Sequence, residues 1–461
     1  MDGRLPRPPH FFSPPSLPSS LRRLLIAAAA ALAVLPASAQ ATTSHVPGEV
    51  IVTYRKSADR ADRAAVQRRT GVGQPKVIAA RTRLMRIRDG RSVAATVAEL
   101  RARPEVAAAA PNAIARISGW VPRDPGRGTL ASGWQSVQWN FAGPFGVNAP
   151  DAWQNLINAG RPGGRGVTVA VLDTGVAYAR RGRFRRSPDF SAGDFVTGYD
   201  FVDNDRYPND ENGHGTHVAG TIGESTDNDV GVTGLAYGAK IMPVRVLDQL
   251  GSGDSVTISA GIRYAVKRGA QIINLSFEFD GSTTKRDVPD LLAALRYANR
   301  HGVLVVGASG NSGASSLAYP ARAPTVLSVG AVTEHGCEAD YSNSGGDLDV
   351  VAPGGGPDAD LPGDPNCHPT EPQGGDIYQI TFVGSVRRFG LPREFVGTSM
   401  AAPHVSGTAA LVIASGVLGP KPSPAAIEAH LKATARPLGP VTSYGAGLID
   451  AARATAPAPP T

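Results

Sequence analysis

Cysteine is nearly absent: 461 residues hold only Cys337 and Cys367, which form no Cys-x-x-Cys pair. In a cytosolic chain they would be unpaired core residues. In a secreted one, a disulfide closing the loop between them is expected. Long apolar runs are also missing. The longest, Leu24 to Leu35, is about a dozen residues, short of the ~20 that span a bilayer. No His-Glu-x-x-His stretch occurs, which removes the helix-borne zinc pair of metalloproteases. Asp-Thr-Gly occurs once, at 173–175, whereas an aspartic-protease dyad needs two carboxylates sharing a proton. A basic surplus is absent where it would matter. The net charge is +7, but residues 1–116 carry 19 Lys and Arg against 7 Asp and Glu, leaving 27 against 32 for residues 117–461. Nucleic acid is therefore not an expected partner. A hydrophobic content of 42% excludes a disordered chain, and Gly 54 and Pro 38 imply many turns.

What is present begins with export. Arg22-Arg23, the apolar stretch and Ala37-Ser38-Ala39 have the order of a signal peptide, residues 1–39, cleaved after Ala39. Leu21 before the Arg pair suits Sec better than twin-arginine export, and the Pro-rich residues 1–18 suggest an early start codon. Secretion to the medium or a periplasm is expected, with no membrane contact after cleavage. Residues 40–117 follow as a βαββαβ module: strands at Glu49–Tyr54, Lys76–Ala80, Thr82–Ile87 and around Asn112–Ala115, helices at Asp59–Arg69 and Ser92–Arg103. That order is ferredoxin-like α+β. Residues 118–133 read as an exposed Gly/Pro linker with a maturation site. From 134 to 452 apolar strands alternate with amphipathic helices, which predicts an α/β fold with a doubly wound, largely parallel sheet. Residues 353–395, rich in Gly, Pro and Asp, read as a surface insertion pinned by Cys337 and Cys367. Residues 453–461 form a frayed tail.

Three blocks carry the chemistry. Val169-Ala170-Val171-Leu172-Asp173-Thr174-Gly175 places an Asp at the C-terminal end of an apolar strand, where ligands gather in open α/β sheets. Asn212-Gly213-His214-Gly215-Thr216-His217 offers two histidines, the first flanked by glycines that permit close approach. Gly397-Thr398-Ser399-Met400-Ala401-Ala402-Pro403-His404 starts a helix, whose free N–H groups favour negative charge. A lone Ser there equally suits a helix cap. Together with an Asp and a His it suits acyl transfer, which needs a base and a buried carboxylate holding that base's tautomer. The α/β-hydrolase elbow fails, because Ala401 stands where its second Gly belongs.

These blocks, in this order, resemble the three signatures of subtilases, over about residues 140–452 and ending in Tyr444-Gly445-Ala446-Gly447-Leu448-Ile449-Asp450. The resemblance implies Asp173 as orienter, His214 as base then acid, and Ser399 as nucleophile. It implies Asn311, in Ala308-Ser309-Gly310-Asn311, as the oxyanion donor. It implies substrate binding by Gly251, Ser252 and Gly253, by Ser276 and Phe277, and by Ala318 at the pocket floor. Glu278 departs from the family's Gly and alters one wall. Thr226 to Val232 resembles the family's ion loop, so a structural Ca²⁺ is expected on Asp189, Thr226, Asn228, Val230 and Val232; an Asp/Asn turn is the alternative. Residues 40–117 resemble the family's inhibitory prodomain, making the chain its own intramolecular inhibitor and folding aid. The expectation is a monomeric secreted serine endopeptidase acting on polypeptides. A serine esterase and a catalytically silent binding protein are the competing readings.

Overall fold

The computed structural model describes residues 45–113, 119–372 and 374–457; the expected signal peptide and the end of the tail lie outside them. Two compact units divide at Arg116/Ile117.

In the first unit the strands are β1 (His45–Tyr54), β2 (Val72–Ala79), β3 (Thr82–Ile87) and β4 (Val106–Ala113), with helices Arg60–Arg69 and Val93–Arg101. The antiparallel order β2-β3-β1-β4 is the expected ferredoxin-like sheet. Asp59 and Ser92 cap the two helices through their side chains, as short polar residues at that position do. The last strand starts at Val106, earlier than its sequence suggests. Five consecutive small apolar residues, 106–110, give no alternation to mark it.

The second unit holds a seven-stranded, wholly parallel sheet: β5 (Thr168–Asp173), β6 (Tyr199–Asp200), β7 (Lys240–Arg245), β8 (Ile272–Leu275), β9 (Leu304–Ala308), β10 (Leu327–Val332) and β11 (Val350–Pro353). The order is β11-β10-β9-β8-β5-β7-β6. Successive β5 residues point to opposite faces. Val169 and Val171 join the core containing the Thr398–Ser415 helix, while Ala170 and Leu172 join the core of the Ser255–Lys267 and Pro289–Arg300 helices. The chain runs from β5 outward to β6 and β7, then returns to build β8 to β11 on the other side. β5 is thus the topological switch point, and its C-terminal end opens a crevice.

The structure corrects two readings of the sequence. The expected linker, residues 118–133, is not exposed throughout: Trp120 packs edge-on to Trp153 at 5.8 Å and the buried Asp124 carboxylate accepts the N–H groups of Asp227 (2.8 Å) and Asn228 (2.9 Å), while residues 127–131 are exposed. Nor is 353–395 only a surface insertion. Ile377, Gln379 and Thr381 are fully buried, and β12 (Thr381–Phe382) pairs with β13 (Phe389–Gly390). Cys337 and Cys367 form the expected disulfide, their Cα atoms 4.8 Å apart.

Candidate active site

Asp173 is the last residue of β5 and is fully buried. Its Oδ1 accepts the Thr174 N–H and the His214 Nδ1–H, both at 2.7 Å. Burial by itself would lower the His214 pKa. The Asp173 charge and hydrogen bond outweigh it, so the imidazole sits above its ordinary 6.5.

His214 opens the helix His214–Gly223, and Gly213 at its N-cap, with φ +110°, offers no side chain to the orphan N–H groups. Asp210 serves instead. Its buried carboxylate accepts from the N–H of Asn212, Gly213 and Thr216 and from the hydroxyls of Thr174 and Thr216, at 2.6–3.0 Å. One carboxylate thereby ties the strand end to the helix start. Sequence reasoning missed Asp210; an Asp one turn before a side-chain-free cap was the available signal. A Cβ on Gly215 would lie 2.1 Å from the Gly175 carbonyl oxygen and 3.1 Å from Asp173. Gly215→Ala is therefore expected to push His214 off Asp173 and cost about 1–3 kcal/mol of stability. Chemical denaturation beside an activity assay reads both.

His217 and His404 are structural. Burial pushes His217 down to about 3; its Nε2–H donates to the Ile377 carbonyl at 2.8 Å and its ring stacks on Phe395 at 4.2 Å. Burial likewise pushes His404 down to about 4, with Nδ1–H on the Met400 carbonyl and Nε2 accepting from Asn140.

Ser399 lies in the first turn of the Thr398–Ser415 helix, half-buried. A buried relay anchors that turn to the end of β8. Ser406 Oγ donates to Asn274 Oδ1, Asn274 Nδ2 to Ser276 Oγ, and Ser276 Oγ to the Ser399 carbonyl, each at 2.8 Å. Ser399 Oγ donates to the Ser276 carbonyl at 3.0 Å. Among the described residues no hydrogen bond joins it to His214. Such bonds tighten in complexes with substrate.

Asn311 follows β9. Its Oδ1 accepts from the Thr398 N–H (2.8 Å) and hydroxyl (2.9 Å), which fixes the amide and turns Nδ2 away from Thr398. Thr398 is the second residue the sequence did not single out. Glu278 reaches Asn311 directly, its Oε1 accepting from the backbone N–H at 3.0 Å and from Nδ2 at 3.4 Å. A carboxylate thus shares the amide assigned to the oxyanion.

Gly251, Ser252 and Gly253 form an exposed loop after β7, closed on Asp248, whose carboxylate accepts the Leu250 and Ser252 N–H groups. Ser276 is buried at the crevice, and the half-buried Phe277 packs toward the second core. Ala318 is 4% exposed, its N–H on the Ser309 carbonyl at 2.9 Å.

The ion loop is brought together with Asp189. Asn228 Nδ2 donates to Asp189 Oδ1 at 2.8 Å and the Val232 N–H to Oδ2 at 3.1 Å; the Val230 N–H donates to Asn228 Oδ1, and Thr226 bonds Thr233. Burial pushes Asp189 up to about 8, and burial plus the Asp189 charge push Glu224 well above the carboxylate range. No group of three or more His, Cys, Asp or Glu suited to a metal occurs among the described residues. The set expected here has one carboxylate, with amide and carbonyl oxygens supplying the rest.

Comparisons with known proteins show the family. Residues 164–447 match the Subtilase family, and residues 32–112 match the Fervidolysin N-terminal prodomain. A thermophilic serine proteinase of Bacillus sp. (strain AK1) is 35% identical over 374 residues, 81% of this chain and 79% of that one. Subtilisin Savinase of Lederbergia lenta is 38% identical over 321 residues, 70% of this chain and 99% of that one. A solved protease from Pseudoalteromonas arctica superposes with a TM-score of 0.59 at 31% identity, covering 73% of this chain and 99% of its own. The chain belongs to the subtilase family, the subtilisin-like serine proteases, and carries an N-terminal prodomain.

Proposed function

We propose that this protease is a secreted, self-maturing endopeptidase in which Ser399 is the nucleophile, His214 the base and Asp173 the orienter. The observation that carries the reading is the 2.7 Å bond from His214 Nδ1–H to the buried Asp173 at the switch-point crevice. That bond leaves His214 Nε2 unprotonated and able to accept a proton. Ser399 Oγ turns from the Ser276 carbonyl, gives its proton to Nε2 and attacks the scissile carbonyl. The oxyanion takes hydrogen bonds from Asn311 Nδ2 and the Ser399 N–H. The imidazolium then protonates the leaving amine, and water repeats the sequence on the acyl-enzyme. Gly251 to Gly253, Ser276, Phe277 and Ala318 bind the acyl half, the exposed 251–253 backbone pairing with an extended peptide.

Residues 1–39 direct export, 40–117 fold and inhibit the protease, 134–452 catalyse and 453–461 trail. The maturation cut falls within 118–133, and the packing of Trp120 and Asp124 favours the N-terminal end of that stretch. The mature protein is a monomer. Ca²⁺ fits the 226–232 loop. Its hard oxygens (the Asp189 carboxylate, the Asn228 amide and the carbonyls of Thr226, Val230 and Val232) are the right class for that ion, and Asn228 Nδ2 and the Val232 N–H already hold the buried Asp189 carboxylate against the loop. The ion would brace the loop and take no part in the chemistry.

Expression of wild type beside Ser399→Ala tests the reading, with size followed by mass spectrometry and casein hydrolysis assayed. Wild type is expected to shorten and digest casein, the variant to stay full-length and inert. Equal maturation with no digestion by either would contradict it and favour a binding protein. The raised His214 pKa sets the pH dependence. Since the base must be neutral, kcat/KM is expected to climb through an acid limb centred above 6.5 and to be lost below it.

A further inference from the structure

Residues 180–186, Arg-Arg-Gly-Arg-Phe-Arg-Arg, place five arginines in seven positions within a unit whose net charge is acidic. They form a small hairpin, Arg181 and Phe184 exchanging backbone hydrogen bonds at 3.3 and 2.9 Å, closed by the Ser187 N–H on the Ala177 carbonyl at 2.9 Å. Its root is fixed to the His214 helix, because the Ala177 N–H donates to Thr216 Oγ1 at 2.9 Å. Arg183 pairs at 2.7 Å with Glu211, three residues before His214. The β12–β13 hairpin adds Arg387 and Arg388. Thr381 Oγ1 holds it to the Gly213 carbonyl at 2.5 Å, and Arg387 Nε donates to the Arg183 carbonyl at 3.2 Å.

Arg183 is the only one of these cations in an ion pair among the described residues. Arg181 lies over the Tyr207 ring at 3.6 Å, and Arg185 donates to the carbonyls of Gly182 and Phe184, partners that leave the charge uncompensated. Asp205, in the neighbouring turn, accepts the Tyr207 N–H. Arg180, Arg181, Arg387 and Arg388 are exposed.

The side of the crevice follows from the chemistry. The acyl half lies along 251–253, 276–278 and Asn311. The leaving amine receives its proton from His214, so the leaving half passes the start of that helix. We propose that the arginine patch is a subsite for acidic residues on the leaving half, so that polypeptides with Asp or Glu shortly after the scissile bond are preferred. The inference rests on the proposed triad for its orientation, but the patch itself does not depend on it. Two or three exposed ion pairs give about a tenfold preference. The screening length shrinks from ~10 Å at 0.1 M salt to ~3 Å at 1 M, so salt should abolish it.

Two internally quenched peptides with the same acyl half test this, one continuing in Asp-Glu-Asp, the other in Asn-Gln-Asn. Wild type is expected to show a kcat/KM ratio of about ten at low salt, falling toward one at 1 M. In Arg180→Gln/Arg387→Gln/Arg388→Gln, which removes three of the four exposed arginines named above, the low-salt ratio should fall to about two, with the neutral peptide cleaved as before. A wild-type ratio near one, or a ratio that survives the triple substitution, overturns the proposal. Binding of a labelled acidic peptide, followed by anisotropy in wild type and the triple variant, needs no turnover. If neither substrate is cut yet that binding is salt-sensitive and lost in the variant, the protease reading fails and the patch stands. Tighter binding of single-stranded DNA than of the acidic peptide overturns the peptide assignment.

Discussion

His214→Ala is expected to lower kcat on peptide substrates by on the order of 10⁶, the known size of the corresponding loss in subtilisin, a member of the same family. The reason is local. Ser399 Oγ now donates to the Ser276 carbonyl at 3.0 Å, a bond that holds the hydroxyl but cannot accept its proton. Without an imidazole the serine must attack as an un-ionised hydroxyl. The helix start would survive, because Asp210 takes the Gly213 and Thr216 N–H groups independently of the ring. Folding should therefore be near wild type while activity is lost. Steady-state kinetics beside thermal unfolding separates these outcomes. A variant that is active, or inactive only because it is unfolded, would count against His214 as the base.

Asp173→Asn is expected to cost about 10⁴ in kcat, the size of the equivalent change in a serine protease of another fold. Asp173 accepts from His214 Nδ1–H inside a buried pocket, which keeps the proton off Nε2. An Asn amide can instead donate to Nδ1, leaving Nε2 protonated and unable to act as base. The pH profile supplies a second readout. The carboxylate raises the His214 pKa against the lowering effect of burial, so its removal lets the pKa fall. Residual activity should show its acid limb at lower pH than wild type. A variant with unchanged kcat, or with its acid limb moved upward, would contradict the assigned role.

The sheet was legible because its strands are apolar throughout and its helices are periodic. β5 alone, with residues 169 and 171 facing one core and 170 and 172 the other, shows why a two-sided burial reads as a continuous run. The positions of Asp173, His214 and Ser399 were legible for a related reason: a strand end and two helix starts are marked locally. What composition concealed was tertiary. Residues 118–133 look like a linker, yet Asp124 caps two N–H groups more than a hundred residues away. Residues 377–382 sit in a Gly- and Pro-rich stretch, yet supply the carbonyl that holds His217 and the hydroxyl that holds Gly213. The reach of Glu278 to Asn311 joins the loops after β8 and β9, and the closing of Asn311 on Thr398 joins a loop to a helix start far along the chain. No local pattern announces them.

Reactivity of Ser399 toward a fluorophosphonate tests the central claim most directly, since phosphonylation needs an activated hydroxyl but no particular peptide. Peptide mapping by mass spectrometry is expected to find one label per wild-type chain, on Ser399, and very little in His214→Ala. Label on another serine, or equal labelling of Ser399 in both proteins, would contradict a nucleophile activated by His214 and Asp173.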